Sequence, residues 1–315
     1  MPHVILTALL PIFFVMALGF VAGRTRRIDN HHVGEINALV MEFSLPVSLF
    51  AATASTPRSQ MISEGPLFAI LGVAMLVPHA LWYVLRRRNS NTPRAEAAVE
   101  ALTVALPNFA AAGLPIVSAI LGARATVHVA VAIAAGSILP SPLTLMLLEL
   151  SGGNGLATES AAERVRRALR RALTKPIVLA PVLGTLFSIS GLELGSIAHA
   201  SMQLIGQAAG GVALFLTGLI LSAQAFRVNR RVAAATGITN VIQPLLVVAL
   251  VLVFPVPPEI AKVSILLAAL PAGFFGILFG VNYKLTSADV GSMVIASTVF
   301  GGVTLAIAIA LLYPQ

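Results

Sequence analysis

The chain has 315 residues, of which 57% are hydrophobic and 10% are charged, and its mean hydropathy is +0.94. About a quarter of the residues in a soluble domain are charged, so the composition excludes an ordinary soluble domain and indicates a membrane protein with several spans. The formal net charge of +8 falls mostly in loops between apolar segments, which argues against a nucleic-acid partner, and the lack of cysteine excludes disulfides and thiolate metal sites.

Apolar segments long enough to cross a bilayer recur along the whole chain. A helical span needs about 20 apolar residues. The sequence predicts ten such spans, five in each half, and we number them in chain order: 3–23, 32–54, 66–88, 95–121, 125–150, 173–190, 197–224, 229–254, 259–284 and 288–313. We therefore expect an all-α polytopic membrane protein.

The basic residues are divided unequally between the two sides of these spans. Of the 20 lysines and arginines, 17 follow the odd-numbered spans, and Arg58, Arg124 and Lys262 lie on the other side. Cytoplasmic loops of membrane proteins are enriched in lysine and arginine. We therefore expect a multi-pass protein of the inner (plasma) membrane, with the basic loops in the cytoplasm and both termini outside.

Two spans contain a proline followed by a glycine within an apolar run. These are Ala105–Pro115 in span 4 and Ala269–Gly276 in span 9, and their prolines Pro107 and Pro271 are 164 residues apart. A proline removes a backbone donor, and a membrane helix tolerates this where the freed carbonyls are enclosed by protein or line a wet cavity. Interrupted helices at matching positions in two halves point to the binding site of a transporter.

Other segments repeat at nearly the same offset. Pro46–Phe50 in span 2 resembles Gly211–Phe215 in span 7, and Pro78 in span 3 matches Pro244 in span 8. A unit with an odd number of spans must enter the membrane in the opposite direction when it is repeated. The sequence thus predicts two inverted five-helix repeats related by a pseudo-two-fold axis in the membrane plane.

The two repeats are joined by a basic segment. We place the first repeat at 1–150, a cytoplasmic linker at 151–175 and the second, inverted repeat at 176–315. Within the linker, apolar residues recur at helical spacing against an arginine-rich face. This pattern predicts an amphipathic helix at the lipid surface, whose role is either anchoring or the docking of a partner.

Short motifs along nearly the whole chain resemble those of the auxin efflux carrier family of secondary transporters, which includes plant auxin exporters and bacterial members often labelled malonate or malate permeases. The motifs are Asn37–Val40, Leu45-Pro46 and Leu49-Phe50, Ala95–Ala98, Pro107-Asn108, Lys175–Val178, Ala180–Leu183, Gly211–Phe215, Thr217–Leu219, Gln243-Pro244 and Ala269–Ala272. Their order and spacing together are specific, although no single motif is.

This resemblance implies a scaffold domain of spans 1, 2, 6 and 7 and a mobile transport domain of the other six spans. It implies that spans 4 and 9 unwind and cross at Pro107 and Pro271, that substrate binds beside the crossing, and that two copies form a homodimer through the scaffold. The chain departs from the family pattern at Ala272-Gly273, where a polar residue is expected, and at Thr239-Asn240, where many relatives have a lysine. Both departures argue against a strongly charged anion site.

The candidate substrate-binding residues cluster around the two interruptions. Asn108 follows the first proline, so its amide can bind a substrate carboxylate or cap the broken helix, and half-helix N-termini bring partial positive charge to the same place. The other candidates are Pro107, Gly113, Pro271, Gly273, Gly276 and Ser48. The glycines permit either a close backbone approach at the crossing or ordinary helix packing, and Ser48 binds either ligand or its own helix backbone.

Two titratable residues are candidates for proton coupling. Glu42 lies about 11 residues into span 2, where a carboxylate must face a cavity or be protonated. His79 follows Pro78 in span 3 and can titrate near neutral pH. Each also has a purely structural interpretation, as do Asn240 and Gln243, which we expect to satisfy the kinked helix that carries them.

The sequence as a whole predicts a secondary active transporter that moves a small organic anion, such as a dicarboxylate or an auxin-like aromatic acid, by alternating access. Proton coupling and uniport both remain open. No Walker A, His-Glu-x-x-His or Gly-x-Ser-x-Gly motif occurs, so we expect no enzyme activity, cofactor or metal. The alternatives are a membrane protein of this fold that binds ligand as a sensor without moving it, and a sodium-coupled symporter.

Overall fold

The computed structural model describes residues 2–89, 92–122, 125–151, 161–223, 226–285 and 288–313. Within these ranges the chain forms helices and no strand, and its one isolated β-bridge joins two helix interruptions. Six helical segments are long and apolar enough to cross a membrane: Gly34–Ala54, Gly65–Arg88, Val127–Ser151, Ser196–Ser222, Arg230–Val253 and Asp289–Leu312. The prediction of an all-helical protein with several membrane spans is therefore confirmed.

Seventeen α-helices occur in the described ranges. In chain order they are α1 (Pro2–Arg24), α2 (Gly34–Ala38), α3 (Leu45–Ala54), α4 (Arg58–Ser63), α5 (Gly65–Asn89), α6 (Arg94–Ala105), α7 (Leu114–Leu121), α8 (Thr126–Ile138), α9 (Pro140–Ser151), α10 (Ala161–Leu173), α11 (Pro176–Ser190), α12 (Ser196–Ser222), α13 (Arg230–Gly237), α14 (Gln243–Val253), α15 (Pro258–Ala268), α16 (Phe275–Asn282) and α17 (Ala288–Leu312).

Three of the connections between consecutive helices are π-helical turns. They span Leu39–Ser44, Phe109–Gly113 and Ile238–Ile242, and each ends two residues before a proline. A proline ring clashes with the carbonyl four residues earlier in an α-helix, and a π turn widens the helix at that place. The π turns therefore let the chain continue in the same direction past a proline.

Two pairs of helices pack with their backbones in close contact. On α1 and α12, a methyl group added to Gly19 would overlap the Phe215 carbonyl, and one added to Gly218 would overlap the Met16 carbonyl. On α11, a methyl group at Gly184 would overlap the Thr53 hydroxyl on α3. Small residues allow membrane helices to approach closely enough for extensive van der Waals contact.

A buried ion pair fixes α6 against α5. The Glu100 side chain is fully buried on α6, and its carboxylate accepts hydrogen bonds from Arg86 Nε (2.6 Å) and Trp82 Nε1 (3.1 Å) on α5. The sequence indicates Glu42 as the acidic residue within a span. The burial of a second one, Glu100, is seen only in the structure. Because Glu100 is paired with a cation and a ring N–H, its position within the fold is energetically acceptable.

We expect Glu100→Ala to lower the free energy of unfolding by about 3–5 kcal/mol, because removal of one partner leaves the Arg86 guanidinium buried without its carboxylate. Chemical unfolding of the purified protein in detergent measures this loss. The matched control is Glu193→Ala, which removes an exposed carboxylate between α11 and α12. Equal stability of the two variants would contradict a structural role for the ion pair.

Candidate functional site

The two predicted interruptions meet in a short antiparallel backbone pairing, which we call the crossing pair. The helix α6 ends at Ala105 and α15 ends at Ala268, and a few residues further on Pro107 and Ala272 form an antiparallel β-bridge. The Asn108 N–H donates to the Pro271 carbonyl, and the Gly273 N–H donates to the Leu106 carbonyl, each at 2.8 Å. The predicted breaks at Pro107 and Pro271 are thus in direct contact.

The last carbonyls of α6 accept hydrogen bonds from another part of the chain. Thr239 Oγ1 donates to the Val104 carbonyl, and Gln243 Nε2 donates to the Ala105 carbonyl, each at 2.8 Å. All these groups are buried, so without these donors the carbonyls would lie unpaired in an apolar interior. The expectation that Gln243 satisfies its own kinked helix is wrong, because its amide serves the broken end of α6.

The second interruption is held by a serine and an asparagine. Ser297 Oγ on α17 accepts a hydrogen bond from the Ala272 N–H (2.9 Å) and donates one to Asn240 Oδ1 (2.6 Å). Asn240 Nδ2 in turn donates to the Ser297 carbonyl at 2.9 Å. The expectation that Asn240 satisfies its own helix is therefore wrong too, since both ends of its amide bind α17.

Two glycines are required by the close approach of the two interrupted segments. A methyl group at Gly273 would lie 2.9 Å from the Leu106 carbonyl oxygen, within the crossing pair itself. A methyl group at Gly276 would overlap Thr103 Oγ1 and lie 2.8 Å from the Val99 carbonyl oxygen on α6. Glycine at these two positions lets α16 and its preceding segment lie directly on α6.

The structure brings most of the predicted substrate-binding residues together. Pro107, Asn108, Pro271 and Gly273 form the crossing pair, and a methyl group at Gly113 would lie 3.2 Å from a Leu270 methyl carbon beside it. Asn108 is 7% exposed, and its carbonyl accepts hydrogen bonds from the N–H groups of Ala112 and Gly113 at the end of the following π turn. Gly276 lies one helical turn further on, in α16.

Ser48 lies on α3, and Glu42 lies on the π turn that precedes it. Ser48 packs against α12, where a methyl group at Gly206 would lie 3.3 Å from the Ser48 Cα. Its neighbour Leu49 instead lines a small cavity beside the pair, together with Pro107 and Ser137. The Glu42 side chain is exposed on the π turn of Leu39–Ser44. The binding role of Ser48 and the coupling role of Glu42 stay predictions.

His79 is buried between α5 and α9. Its Nε2 lies 2.8 Å from Thr144 Oγ1, whose own hydrogen is donated to the Pro140 carbonyl. His79 Nε2 must therefore carry the proton and donate it to Thr144. Its Nδ1 has no hydrogen-bond partner among the described residues, so a second proton there would face apolar surroundings. The geometry supports a neutral, structural imidazole, and proton coupling by His79 stays a prediction.

A larger cavity opens at the ends of the helices that carry the basic loops. Its volume is about 1170 Å³, and it lies between the α1–α2 connection, the start of α6, the end of α12 and the α16–α17 connection. The charged side chains that line it are Glu35, Glu96, Arg227, Arg231, Lys284 and Asp289, with His31 and His32 beside them. Charges of both signs thus surround this cavity.

Local contacts order the edge of this cavity. The backbone N–H of His31 and the imidazole of His32 lower the pKa of the Asp29 carboxyl to about 2. Across the opening, Asn229 Nδ2 donates to Asp289 Oδ1 at 2.9 Å, and Arg231 lies 3.6 Å from the same carboxylate. The start of α13 is therefore fixed to the start of α17.

Comparison with known proteins identifies the family of the chain. The family described as membrane transport protein matches residues 4–309 of the chain. The chain belongs to this membrane transport protein family. The resemblance to auxin efflux carriers is thereby confirmed, and the protein is a membrane transporter of a family that is not an enzyme class.

Relatives of this membrane transport protein occur in bacteria, plants and archaea. The uncharacterized transporter YfdV of Escherichia coli K12 is 28% identical over 304 residues, which cover 95% of this chain and 94% of YfdV. Auxin efflux carrier component 8 of Arabidopsis thaliana is 25% identical over 332 residues, with 90% of each chain covered. An uncharacterized transporter of Methanothermobacter thermautotrophicus is 24% identical over 308 residues and 94% of each chain.

The close contact at Gly276 gives a direct test of the crossing pair. We expect Gly276→Ala to destabilise the transporter by about 1–3 kcal/mol, because the new methyl group meets the Val99 backbone and forces α16 away from α6. Thermal unfolding in detergent measures the effect. Gly280→Ala on the same helix is the control, since its methyl group would lie 3.7 Å from the nearest atom, the Leu285 carbonyl oxygen. Equal melting temperatures for the two variants would contradict the packing described.

Proposed function

We propose that this membrane transport protein is a secondary active transporter that carries a small organic anion by alternating access. The observation that carries the proposal is the crossing pair, at which two interrupted helices meet inside the protein. The π turn that leads into α7 and the helix α16 both begin beside the pair, so their N-termini bring partial positive charge to it. A carboxylate is the ligand that such an environment favours.

We further propose that the chain has ten spans in two inverted five-helix repeats. Span 4 consists of α6 and α7, and span 9 consists of α15 and α16, so neither contains one long helix, and each is interrupted near its middle. The equal spacing of Pro107 and Pro271 within the two halves supports the repeat. Spans 1, 2, 6 and 7 would then form the scaffold, and the remaining spans would form the domain that moves.

The substrate is proposed to be a dicarboxylate, such as malonate, or an auxin-like aromatic acid. Among the described residues, no lysine or arginine contributes to the crossing pair, where Thr239 and Asn240 bind backbone and side-chain groups of neighbouring helices instead. The anion would then be held by backbone N–H groups and the Asn108 amide. Such a site discriminates among ligands by geometry more than by total charge.

Mutation of Asn108 tests this site. Loss of one hydrogen bond to a charged ligand costs about 1.5–3 kcal/mol, so we expect Asn108→Ala to weaken carboxylate binding by roughly ten- to a hundredfold. Isothermal titration with the acid that best stabilises the protein measures affinity, and proteoliposomes measure flux. Wild-type affinity in a folded Asn108→Ala protein would place the ligand elsewhere. Binding without flux in the unmodified protein would favour the sensor alternative.

The topology can be tested in the cysteine-free chain. We propose that both termini lie outside an inner (plasma) membrane and that the 151–175 linker is cytoplasmic. A cysteine at Asn154, which lies outside the described residues, should then resist an impermeant maleimide in intact cells, whereas a cysteine at Glu193, in the exposed α11–α12 connection, should react. The opposite labelling pattern would reverse the orientation.

Proton coupling through Glu42 is tested by its amide variant. We propose that this exposed carboxylate in span 2 takes up the coupled proton, because a charge at that depth is costly unless it is neutralised. Glu42→Gln should abolish uptake driven by a pH gradient while ligand binding stays within twofold of the unmodified protein. Undiminished pH-driven uptake would leave Glu42 with a structural role only.

A homodimer through the scaffold is also part of the proposal. The first half of α12 exposes large apolar side chains, among them Ile197 at 82% and Leu204 at 80%. Helices of a second copy that pack closely against this surface would make more van der Waals contact with it than lipid does. Native mass spectrometry from lipid nanodiscs should show dimers, and an exclusively monomeric species would contradict this arrangement.

A further inference from the structure

The helix α10 presents an apolar stripe that no other described part of the chain covers. Val165, Leu169 and Leu173 lie four residues apart, so they share one face of the helix. Their exposed fractions are 44%, 43% and 44%. Apolar side chains arranged in this way require a partner outside the described fold.

The same helix is strongly basic. Ala161–Leu173 contains five arginines and one glutamate, and the Arg166 and Arg170 side chains are exposed. An apolar stripe beside an excess of arginine is the pattern of a helix that lies in the interface of an anionic membrane. We favour a lipid surface over a partner protein with an acidic groove, because α10 is joined to an apolar helix, α11, and packs against another, α9.

The position of α10 along the chain keeps it near the bilayer surface. Only Thr174 and Lys175 separate it from Pro176, where the apolar helix α11 begins. On its other side it packs against α9, the end of the candidate span Val127–Ser151. With both neighbours entering the membrane at this level, α10 has little freedom to move away into the aqueous phase.

The junction between α10 and α11 is also fixed to the rest of the protein. Lys175 Nζ lies 5.8 Å from the centre of the Tyr283 ring at the end of α16, and the Tyr283 hydroxyl donates to Glu149 Oε1 on α9 at 2.7 Å. These contacts hold the end of α10 beside the ends of α9 and α16. The apolar stripe and the arginines are therefore presented at one place rather than on a free tether.

We propose that α10 is a binding site for anionic phospholipid. Val165, Leu169 and Leu173 insert among the acyl chains, and Arg166 and Arg170 bind lipid phosphates at the level of the headgroups. The guanidinium group suits this role because it forms paired hydrogen bonds to phosphate oxygens. This site is separate from the crossing pair and does not depend on the transported substrate.

A fluorescent probe on α10 tests the proposal in the full-length protein. A single cysteine at Leu169 carries an environment-sensitive fluorophore, and the labelled protein is placed in nanodiscs of phosphatidylcholine in which phosphatidylglycerol replaces a rising fraction. We expect a blue shift and quenching by spin-labelled acyl chains that both increase with phosphatidylglycerol. In Arg166→Gln/Arg170→Gln, the ratio of inserted to water-exposed probe should fall about thirtyfold at equal phosphatidylglycerol.

The control variant is Arg58→Gln/Lys262→Gln, which removes two exposed cations from the side predicted to face outward and should leave the response unchanged. A probe that stays water-exposed in phosphatidylglycerol would overturn the proposal. Equal insertion in pure phosphatidylcholine would overturn it as well, because no anionic headgroup would then be required. A response to inorganic phosphate in phosphatidylcholine nanodiscs would identify a site for a soluble anion instead of a lipid.

Discussion

The two hydrogen bonds between the interrupted segments determine how the rest of the structure is arranged. Where Pro107 and Pro271 stop their helices, the backbone polar groups can no longer pair along the helix, and the membrane interior offers no water to replace those partners. The pairing of Asn108 with Pro271 and of Gly273 with Leu106 solves this problem for both segments at once. Each interruption thus supplies backbone partners that the other needs.

The surrounding helices supply the remaining partners. Thr239 and Gln243 bind the end of α6, and Ser297 binds the Ala272 N–H, so the π turn of Ile238–Ile242, α14 and α17 all contribute to one polar centre inside an apolar protein. The Glu100–Arg86 pair holds α6 against α5. A rigid centre of this kind is what a transporter needs if it is to move a binding site as one body.

Sequence patterns predicted the helices and their breaks well, because both depend on local composition. The span predicted at 66–88 corresponds to α5 at Gly65–Asn89, and the span predicted at 197–224 corresponds to α12 at Ser196–Ser222. Both helices could be predicted because each contains a long stretch without charged residues. The prolines likewise marked both interruptions, since the loss of a backbone donor does not depend on tertiary contacts.

Partners far apart in the chain could not be predicted in this way. Gln243 binds a carbonyl 138 residues away, and neither residue carries a local pattern that indicates the other. The same holds for Ser297, a small polar residue that looks like an ordinary packing residue in the sequence. The orientation of Ser48 could not be predicted either, because a helix that is apolar on every face gives no periodicity from which to read which side a residue occupies.

We propose above that the crossing pair binds the transported anion. A cryo-EM structure of the protein with the carboxylic acid that most raises its melting temperature tests it most directly. We predict ligand density within hydrogen-bonding distance of the Asn108 side chain and of the backbone of the crossing pair. Density confined to the large charged cavity, beside Arg227 and Lys284 and away from both interruptions, would contradict the account.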